Sequence, residues 1–405
     1  MVILSREKQK RKTCIKLFGF KIFEKILDKE ENFITTKYLH NLFVKKYDIY
    51  SKTFKFKMLC FSIFKTRLKG SYKFWYFLFI PIWIKNVNKT FLRDFLTKVT
   101  KEYPSYKEYY IFLSRSGEFY LLMHHFAEWL QNNKSSNFLL VFTAKYHLNI
   151  CKMFFPNIPM TYIKKANVPL ISRGVENISF KYKNKKFYVP TYENYFVDVE
   201  NKIRDKNAHY YECLKKHLKF SNNIQHYNIS IKTQEKIKNI VKNILNNKFI
   251  FISPETLSNE PMEKDFWDNL CEKLKNQGYE VFCNSMDFKN LIKDSISTFL
   301  TYEEAIELAK YATAIIGLRS GFLECLSQNN VPLIALYTDF PKRPGFKKLS
   351  SDKVKSGYSI SKLPNVNKNL LYELDVNKYT SDEEIIPEIL TILKTNTNCD
   401  IAERI

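Results

Sequence analysis

The stretch Ala314-Ile-Ile-Gly-Leu-Arg-Ser-Gly-Phe-Leu-Glu-Cys-Leu326 decides the fold of this chain. A short apolar run leads into Arg319-Ser320-Gly321, and apolar residues at helical spacing follow this turn. The pattern predicts a buried strand over Ala312–Ile316 and a helix over Gly321–Gln328. Strand-to-helix turns of a parallel sheet lie at its carboxyl edge, where ligands bind. The stretch therefore predicts a strand–turn–helix unit of a parallel α/β sheet, and its turn is a candidate ligand site.

Strands and helices alternate through the rest of the second half. Buried strands are predicted over Lys248–Ser253, Tyr279–Cys283 and Pro332–Leu336, and helices over Pro261–Gln277, Thr301–Tyr311 and Ser381–Thr395. Thr301-Tyr-Glu-Glu has the form of a capping box. Residues 339–380 are expected to be mostly irregular, and the last helix is expected to pack back on the first domain.

The same alternation begins near residue 105. A strand, a turn, a helix and a second strand are predicted over Tyr109–Leu113, 114–118, Phe119–Gln131 and Asn137–Thr143. This order favours a parallel sheet, and the polar stretch 222–232 suits a linker. We predict an α/β fold of two Rossmann-like domains facing a cleft, at 96–228 and 229–405. A basic aromatic N-terminal extension, 1–95, precedes them.

Three stretches of the extension resemble one another: Ile15–Lys25, Phe56–Thr66 and Trp75–Lys85. Each has an aromatic and aliphatic centre edged by Lys, and periodicity does not decide between strands and short buried segments. One interpretation is a membrane-surface patch, because Lys attracts anionic lipid and Trp and Tyr favour the interface. The other is a small β-rich subdomain, and the two are compatible.

Charge is concentrated at the start of the chain. Residues 1–100 hold 23 basic and 7 acidic residues, so +16 of the net +24 lies in the first quarter of the 405 residues. A Lys-rich composition is also typical of an AT-rich genome, but this does not explain the distribution. The pattern favours an anionic partner, and an anionic membrane surface is the one we expect. The apolar run Phe74–Ile84 is too short to span a bilayer, and no cleavable signal peptide is predicted.

The eight cysteines are scattered and form no CxxC pair, which is typical of reduced thiols in a cytosolic protein. No HExxH, GxxxxGK[ST], GxSxG or GxGxxG motif is present. These absences argue against zinc proteases, P-loop enzymes, standard hydrolases and classical dehydrogenases. No DxD-type motif follows a predicted strand, so no metal and no cofactor are expected.

Glycines in the strand-to-helix turns point to a site. Gly117, Gly317 and Gly321 fall in such turns, where backbone N–H groups and a helix N-terminus favour phosphate. Arg319, Ser320 and the amides of 320–322, including that of Phe322, are candidates for holding a diphosphate. Glu324 is a candidate for contacting a ribose, with a dipole-stabilising first-turn acid as the equal alternative.

The first domain offers a candidate base. Glu118 follows Arg115-Ser116-Gly117 at the predicted sheet edge, where it is either a general base or a partner of the helix dipole. Arg115, Ser116 and Gly117 are candidates for contacting an acceptor. His209, at a predicted helix start, is a further acceptor candidate, although a lone His is more often structural.

A third candidate loop, 253–260, follows the first strand of the second domain. Its candidate donor-binding residues are Ser253, Glu255 and Thr256, with Lys264 close behind. Hydroxyls and free amides in such a loop suit a diphosphate or a nucleoside. The alternative is a polar loop without a ligand.

Residues 108–340 resemble GT-B glycosyltransferases of the heptosyltransferase-like kind, which act on lipopolysaccharide. Gly117-Glu118 stands where that family has Gly-Asp, and Arg319-Ser-Gly-Phe-Leu-Glu324 where it has a turn like Asp-Thr-Gly-x-x-His. A helix opening at His209 and the strand, Pro-containing loop and Trp-bearing helix of Phe249–Trp267 also match in order. The Lys-Arg of the family's phosphate loop is absent, and the Arg-Ser-Gly-Phe turn also resembles some fucosyltransferases.

The resemblance implies a metal-independent glycosyltransferase. Its donor would be a nucleotide-sugar, and its acceptor a lipid-linked, lipopolysaccharide, lipooligosaccharide or capsule glycan. It would work at the cytoplasmic face of the membrane, with Glu118 as base and Arg319 facing the leaving diphosphate. The alternatives are a non-catalytic nucleotide- or glycan-binding protein of the same fold and a basic nucleic-acid-binding protein. No RRM, KH or zinc-finger signature supports nucleic-acid binding.

Overall fold

The computed structural model describes residues 4–9, 12–17, 20–28, 33–38, 43–48, 53–58, 61–69, 72–77, 80–164, 167–221, 223–244, 248–285, 292–341 and 347–396. The chain forms two compact units. The smaller consists of residues 1–102 with 167–176, and the larger of 103–166 with 177–405. Both predicted Rossmann-like domains fall largely in the larger unit, and their predicted boundaries stay predictions.

Nine described strands of the smaller unit form one antiparallel sheet in which each strand pairs with the next along the chain. They are β1 Leu4–Gln9, β2 Lys12–Leu17, β3 Phe20–Asp28, β4 Phe33–Tyr38, β5 Phe43–Asp48, β6 Thr53–Met58, β7 Phe61–Lys69, β8 Tyr72–Phe77 and β9 Ile80–Asn86. Helix α1, Val87–Glu102, follows.

The three similar stretches of the extension correspond to hairpins of this sheet. They cover the β2–β3, β6–β7 and β8–β9 connections, and each pairing has a register shift, at Ile15/Lys16, Phe56/Lys57 and Trp75/Tyr76. A bulge at an equivalent place in each pair increases the local twist of the strands. The sequence similarity therefore reflects a repeated pair of antiparallel strands.

The first sheet of the larger unit has the strand order β12-β11-β10-β14-β13. Its elements are β10 Glu108–Phe112, α2 Ser116–Asn132, β11 Phe138–Phe142, α3 Lys145–Phe154 and β12 Met160–Tyr162, then β13 Ser179–Tyr182, β14 Lys185–Tyr188, α5 Glu193–Lys206 and α6 Tyr210–Leu218. Between β12 and β13 the chain passes through α4, Val168–Gly174, which belongs to the smaller unit and packs on α1. β10 pairs in parallel with β11 and β14, which confirms the predicted parallel arrangement.

The second sheet is parallel throughout, in the order β17-β16-β15-β18-β19-β20. Its elements are α7 Ile231–Ile244, β15 Phe249–Ser253, α8 Lys264–Asn276, β16 Glu280–Asn284, β17 Ile296–Thr298, α9 Tyr302–Ala309, β18 Ala314–Leu318 and α10 Gly321–Leu326, then β19 Leu333–Tyr337, α11 Ser351–Gly357, β20 Leu371–Asp375 and α12 Asp382–Asn396. The predicted fold of two Rossmann-like α/β domains is confirmed.

One prediction about the end of the chain is incomplete and another is wrong. Residues 339–380 contain helix α11 and the edge strand β20, which pairs in parallel with β19. The buried side chains of α12, among them Ile385 and Ile389, belong to a cluster with Phe266 and Trp267 of the second domain, not the first. The predicted capping box is confirmed, since Thr301 Oγ accepts from Glu304 N and Glu304 Oε2 accepts from Thr301 N.

The two sheets of the larger unit share one apolar core. Its buried side chains include Phe112 and Phe142 of the first sheet and Phe251 and Ala335 of the second. Helix α2 packs against α10, and α3 packs against α9. These contacts bring the turn before α2 to the turn before α10. Within the described ranges, no helix has the length and apolar character needed to cross a membrane.

Candidate functional site

The predicted turns of the two domains touch each other. A carbon added to Gly117 would lie 2.8 Å from Cα of Gly321, and one added to Gly321 would lie 2.9 Å from Cα of Gly117 and 2.7 Å from Oγ of Ser116. Real Cβ atoms do not approach other atoms so closely, so glycine permits this contact at both positions. We call this contact of residues 115–118 with residues 319–324 the corner.

A buried ion pair lies at the corner. Nη2 of Arg319 donates to Oε1 of Glu324, and the two residues are 5% and 1% exposed. The guanidinium carbon of Arg319 lies 5.4 Å from the ring centre of Tyr210 and 4.7 Å from that of Tyr358. Cation–π attraction in such a desolvated place is worth about 2 kcal/mol. The guanidinium predicted to meet a diphosphate is thus held by a carboxylate and two aromatic rings.

Several buried polar atoms of this cluster lack a partner. Among the described residues, Nε of Arg319 makes no hydrogen bond, and Oε2 of Glu324 and the hydroxyl of Tyr210 make none of normal geometry, although the Tyr210 hydroxyl is close enough to lower the pKa of Glu324. Buried polar groups are normally satisfied, so each such atom requires an explanation. Burial raises the pKa of Glu324 to about 7, against the lowering effect of the Arg319 charge. The corner therefore holds unused hydrogen-bonding capacity in a dry environment.

Ser320 and Thr256 fix the backbone of the second-domain turn. Oγ of Ser320 accepts from Leu323 N at 3.1 Å and caps α10. The Thr256 hydroxyl donates to the Arg319 carbonyl at 3.3 Å and accepts from Ser258 N at 3.2 Å. The candidate hydroxyls of Ser320 and Thr256 are therefore engaged with the backbone.

The remaining candidates of the second domain lie around this turn. Gly317 was predicted to lie in the turn, but it lies inside β18, because the strand continues to Leu318. A carbon added to it would be 2.6 Å from the carbonyl of buried Ser253. Glu255 accepts from the hydroxyl of Ser285, and Lys264 pairs with Asp268 along α8. The ring of Phe322 packs edge-on against Tyr302, 5.2 Å between centres.

Glu118 lies in the first turn of α2 and is half-buried. Burial, together with the smaller effect of the Glu118 charge, raises the pKa of Tyr146 to about 12. The same charge acts on the pKa of Glu324, after the larger effect of burial. Glu118 directly follows Gly117, which contacts Gly321 and Glu324, so Glu118 and the Arg319 turn lie on the same side of the molecule. Against the lowering effect of burial, the charge of Glu324 and, less strongly, that of Glu118 raise the pKa of Arg319.

Arg115 connects the two domains, because its Nη1 donates to the hydroxyl of Ser258 in the loop after β15. His209 also connects them. Its Nδ1 accepts from Tyr211 N at 3.3 Å, and its Nε2 donates to the Ser359 carbonyl at 2.9 Å. Burial lowers the pKa of His209 to about 4, so the ring is neutral at pH 7. His209 caps α6 and joins the domains in this structure.

Sequence reasoning missed Tyr210 and Tyr358. They lie far apart in the chain and flank Arg319 only because α6 and the end of α11 meet there. The sequence Tyr210-Tyr211 does not indicate whether either ring packs in the core or lies against a cation. Within the residues that the structure describes, no three His, Cys, Asp or Glu side chains cluster as metal ligands.

A cavity of about 460 Å³ opens between α5 and α6. Its lining includes Tyr195, Lys202, Lys206, His209 and Lys216. Burial raises the pKa of Tyr195, and its ring also stacks on that of His217, 4.3 Å between centres. The volume lies within the roughly 300–1,000 Å³ usual for ligand sites.

Comparison with known proteins gives only distant similarities. No protein-family model matches the chain, and no curated protein matches it. A solved glycosyl transferase family 9 protein from Veillonella parvula DSM 2008 is 12% identical, with a TM-score of 0.45, over 72% of this chain and 98% of that one.

Two further solved structures are similar at the same level. The E. coli ADP-heptose lps heptosyltransferase II is 11% identical, with a TM-score of 0.41, over 71% of this chain and 99% of that one. A putative UDP-N-acetylglucosamine 2-epimerase from Listeria monocytogenes is 10% identical, with a TM-score of 0.41, over 72% and 89%. At such distances the function has to be argued from the residues of this chain.

Proposed function

We propose that this chain is a glycosyltransferase that moves a sugar from a nucleotide-sugar to a lipopolysaccharide-, lipooligosaccharide- or capsule-type acceptor. The observation that carries the proposal is the corner, where a carboxylate on one domain lies within electrostatic reach of a buried arginine on the other. Unpartnered polar atoms of Arg319 and Glu324 lie in the same place. A base facing an anion-binding group is what direct displacement at a sugar carbon requires.

In this mechanism Glu118 accepts the proton of the acceptor hydroxyl. The hydroxyl oxygen forms a bond to the anomeric carbon, and the bond from that carbon to the diphosphate oxygen breaks. The nucleoside diphosphate leaves with the electron pair. Arg319 and the amides of 320–322 stabilise the charge that develops on it. No metal is assigned a role, because the sequence carries no DxD-type motif after its strands.

The donor requires the corner to open. Gly117 and Gly321 leave no room for a diphosphate between their backbones. We therefore interpret the arrangement as a closed one in which Glu324 occupies the place of an anion beside Arg319. Donor entry would separate the turns and transfer hydrogen bonds of Arg319 from the carboxylate to phosphate oxygens.

The cavity between α5 and α6 is the best place for the acceptor. Its lining contains three lysines and two carboxylates, those of Asp198 and Glu212, so basic side chains outnumber acidic ones. An acceptor bearing phosphate or carboxylate groups suits this balance. The basic extension would hold the enzyme at an anionic, cytoplasmic membrane surface, where lipid-linked acceptors are found. No role for nucleic acid is proposed.

The proposal is tested by incubating the full chain with nucleotide-sugars and a lipopolysaccharide-type acceptor and measuring release of nucleoside diphosphate. Acceptor-dependent release is the expected result. A thermal-shift screen selects the donor, since a ligand at 100 times its Kd adds about 2.7 kcal/mol of stability. Stabilisation without transfer to any acceptor would instead support the non-catalytic nucleotide- or glycan-binding alternative.

A further inference from the structure

A second cavity, of about 690 Å³, lies where the chain passes from the first α/β domain to the second. It is lined by residues of the connecting segment, of α7, and of the turns after α10 and before β20. Its lining does not include Glu118, Arg319 or Glu324. The volume is within the range of small-molecule sites, and the candidate site accounts for none of its lining residues.

Side-chain carboxamides dominate this lining. They are Asn228, Gln234, Gln328, Asn329, Asn330 and Asn365. A carboxamide offers two N–H donors and a carbonyl acceptor in one planar group. The half-buried ring of Tyr227 adds an aromatic surface to the same cavity.

Existing hydrogen bonds hold part of this set rigid. The amide nitrogen of Gln234 donates to the Ile229 carbonyl at 3.0 Å, and that of Asn329 donates to the Ile306 carbonyl at 3.1 Å. Their carbonyl oxygens accept nothing among the described residues. The side chains of Asn228 and Asn365 make no hydrogen bond within that part of the chain. The carbonyl oxygens of Gln234 and Asn329 are thus held in place as acceptors. The carboxamides of Asn228 and Asn365 can both donate and accept hydrogen bonds.

The charge of the cavity is low. Among the described lining residues, Lys310 is the one Lys, Arg, Asp or Glu, and its Nζ is paired with Oε2 of Glu307 at 2.5 Å. An anion would therefore find no unpaired lysine or arginine here. A sugar hydroxyl both donates and accepts, as a carboxamide does, so an uncharged polyhydroxylated ligand matches this lining best.

We infer that this cavity binds a neutral saccharide, at a site separate from the one proposed for transfer. Saturation-transfer NMR on the full chain, with lactose, maltotriose and N,N′-diacetylchitobiose added one at a time, tests it. At least one of the three is expected to bind. The double variant Asn228→Ala/Asn365→Gly is expected to weaken that binding at least fivefold.

The matched control is Asn184→Gly. Asn184 and Asn365 both have φ of 59°, so glycine relieves the same backbone requirement at each, but Asn184 does not line the cavity. If the double variant does not fold, Asn228→Ala alone must weaken binding at least twofold. The inference is overturned if none of the three saccharides binds, if the variants bind unchanged, or if pyrophosphate displaces the saccharide. Because no nucleotide-sugar is present, the result is independent of the transfer assay.

Discussion

Glu324 of the second domain lies directly against Gly117 of the first, so that a methyl group on Gly117 would overlap its Oε2. The carboxylate is 1% exposed and paired with Arg319 on its other oxygen. A charged residue thus fills the space that a side chain on the first-domain turn would need. Substitutions at Gly117 or Glu324 are therefore expected to change both the stability of the protein and the environment of Arg319, the candidate diphosphate-binding residue.

Gly117→Ala is expected to disturb the corner. The new methyl group meets Glu324 and the backbone of Gly321, and overpacking of this kind costs about 1–3 kcal/mol. Urea unfolding followed by fluorescence measures the loss. Gly278→Asn serves as the control, because Gly278 has φ of 81° and no neighbouring atom within 4 Å. Equal stability of Gly117→Ala and the wild type would contradict the described contact.

Glu118→Gln is expected to lower the transfer rate by about 10²–10⁴-fold, because the amide cannot accept the acceptor proton. Donor binding, measured by calorimetry, is expected to persist. Asp265→Asn is the control, since Asp265 is also a first-turn acid, on α8. Unchanged turnover of the Glu118 variant would remove the assignment of the base.

Arg319→Met is expected to destabilise the fold by about 3–5 kcal/mol, because it leaves the buried Glu324 carboxylate without its partner. The double variant Arg319→Met/Glu324→Leu is expected to recover much of that stability, since no buried charge remains unpaired. Donor binding should stay lost in both variants. Recovery of donor binding in the double variant would show that Arg319 does not hold the diphosphate.

Buried histidines are expected to make the protein acid-labile. Burial lowers the pKa of His209 to about 4 and that of His147 to about 3, from an ordinary 6.5. The unfolded chain therefore binds more protons than the folded one below pH 6.5. Each ring contributes a loss of about 1.4 kcal/mol per pH unit as the pH falls from 6.5 towards its folded pKa.

This pH effect is measured by comparing variants, since ionisation of Glu324 acts in the opposite direction over part of the range. His147 is completely buried and donates to the Ser114 carbonyl at 3.0 Å. His147→Phe is expected to make the unfolding free energy depend less steeply on pH between pH 4 and 6.5. The slope should fall by about 1.4 kcal/mol per pH unit, which corresponds to one proton. His226→Phe is the control, because His226 is exposed. Equal slopes for His147→Phe and the wild type would contradict the prediction.

The pattern of apolar runs and turns in the sequence was sufficient to predict the two α/β domains. Ala314–Leu318 forms a strand two residues later than predicted, because its ladder with β19 extends to Leu318 and Leu336. The strand Leu371–Asp375 was missed. It is an edge strand with only Leu374 and Asp375 buried, so it lacks the continuous apolar run that marks the central strands.

The candidate site was predictable in part. The glycines of the two turns were predicted to let the backbone approach a phosphate in a cleft, whereas in the structure they let the two turns contact each other. The tyrosine rings around Arg319 and the pairing of Arg319 with Glu324 left no signal in the sequence. Those contacts depend on how α6 and α11 pack, and packing between distant segments is not encoded in local periodicity. The roles of Glu118, Arg319 and the 253–260 loop stay predictions.

The nine-stranded sheet of the smaller unit has a consequence for how this protein can vary. Each strand pairs only with its neighbours in the chain, as the units of a repeat array do. Insertion or deletion of two consecutive strands would leave every other pairing intact and would preserve the direction in which the chain enters α1. This sheet can therefore lengthen by duplication of two consecutive strands, or shorten by their loss, without breaking the remaining strand pairs.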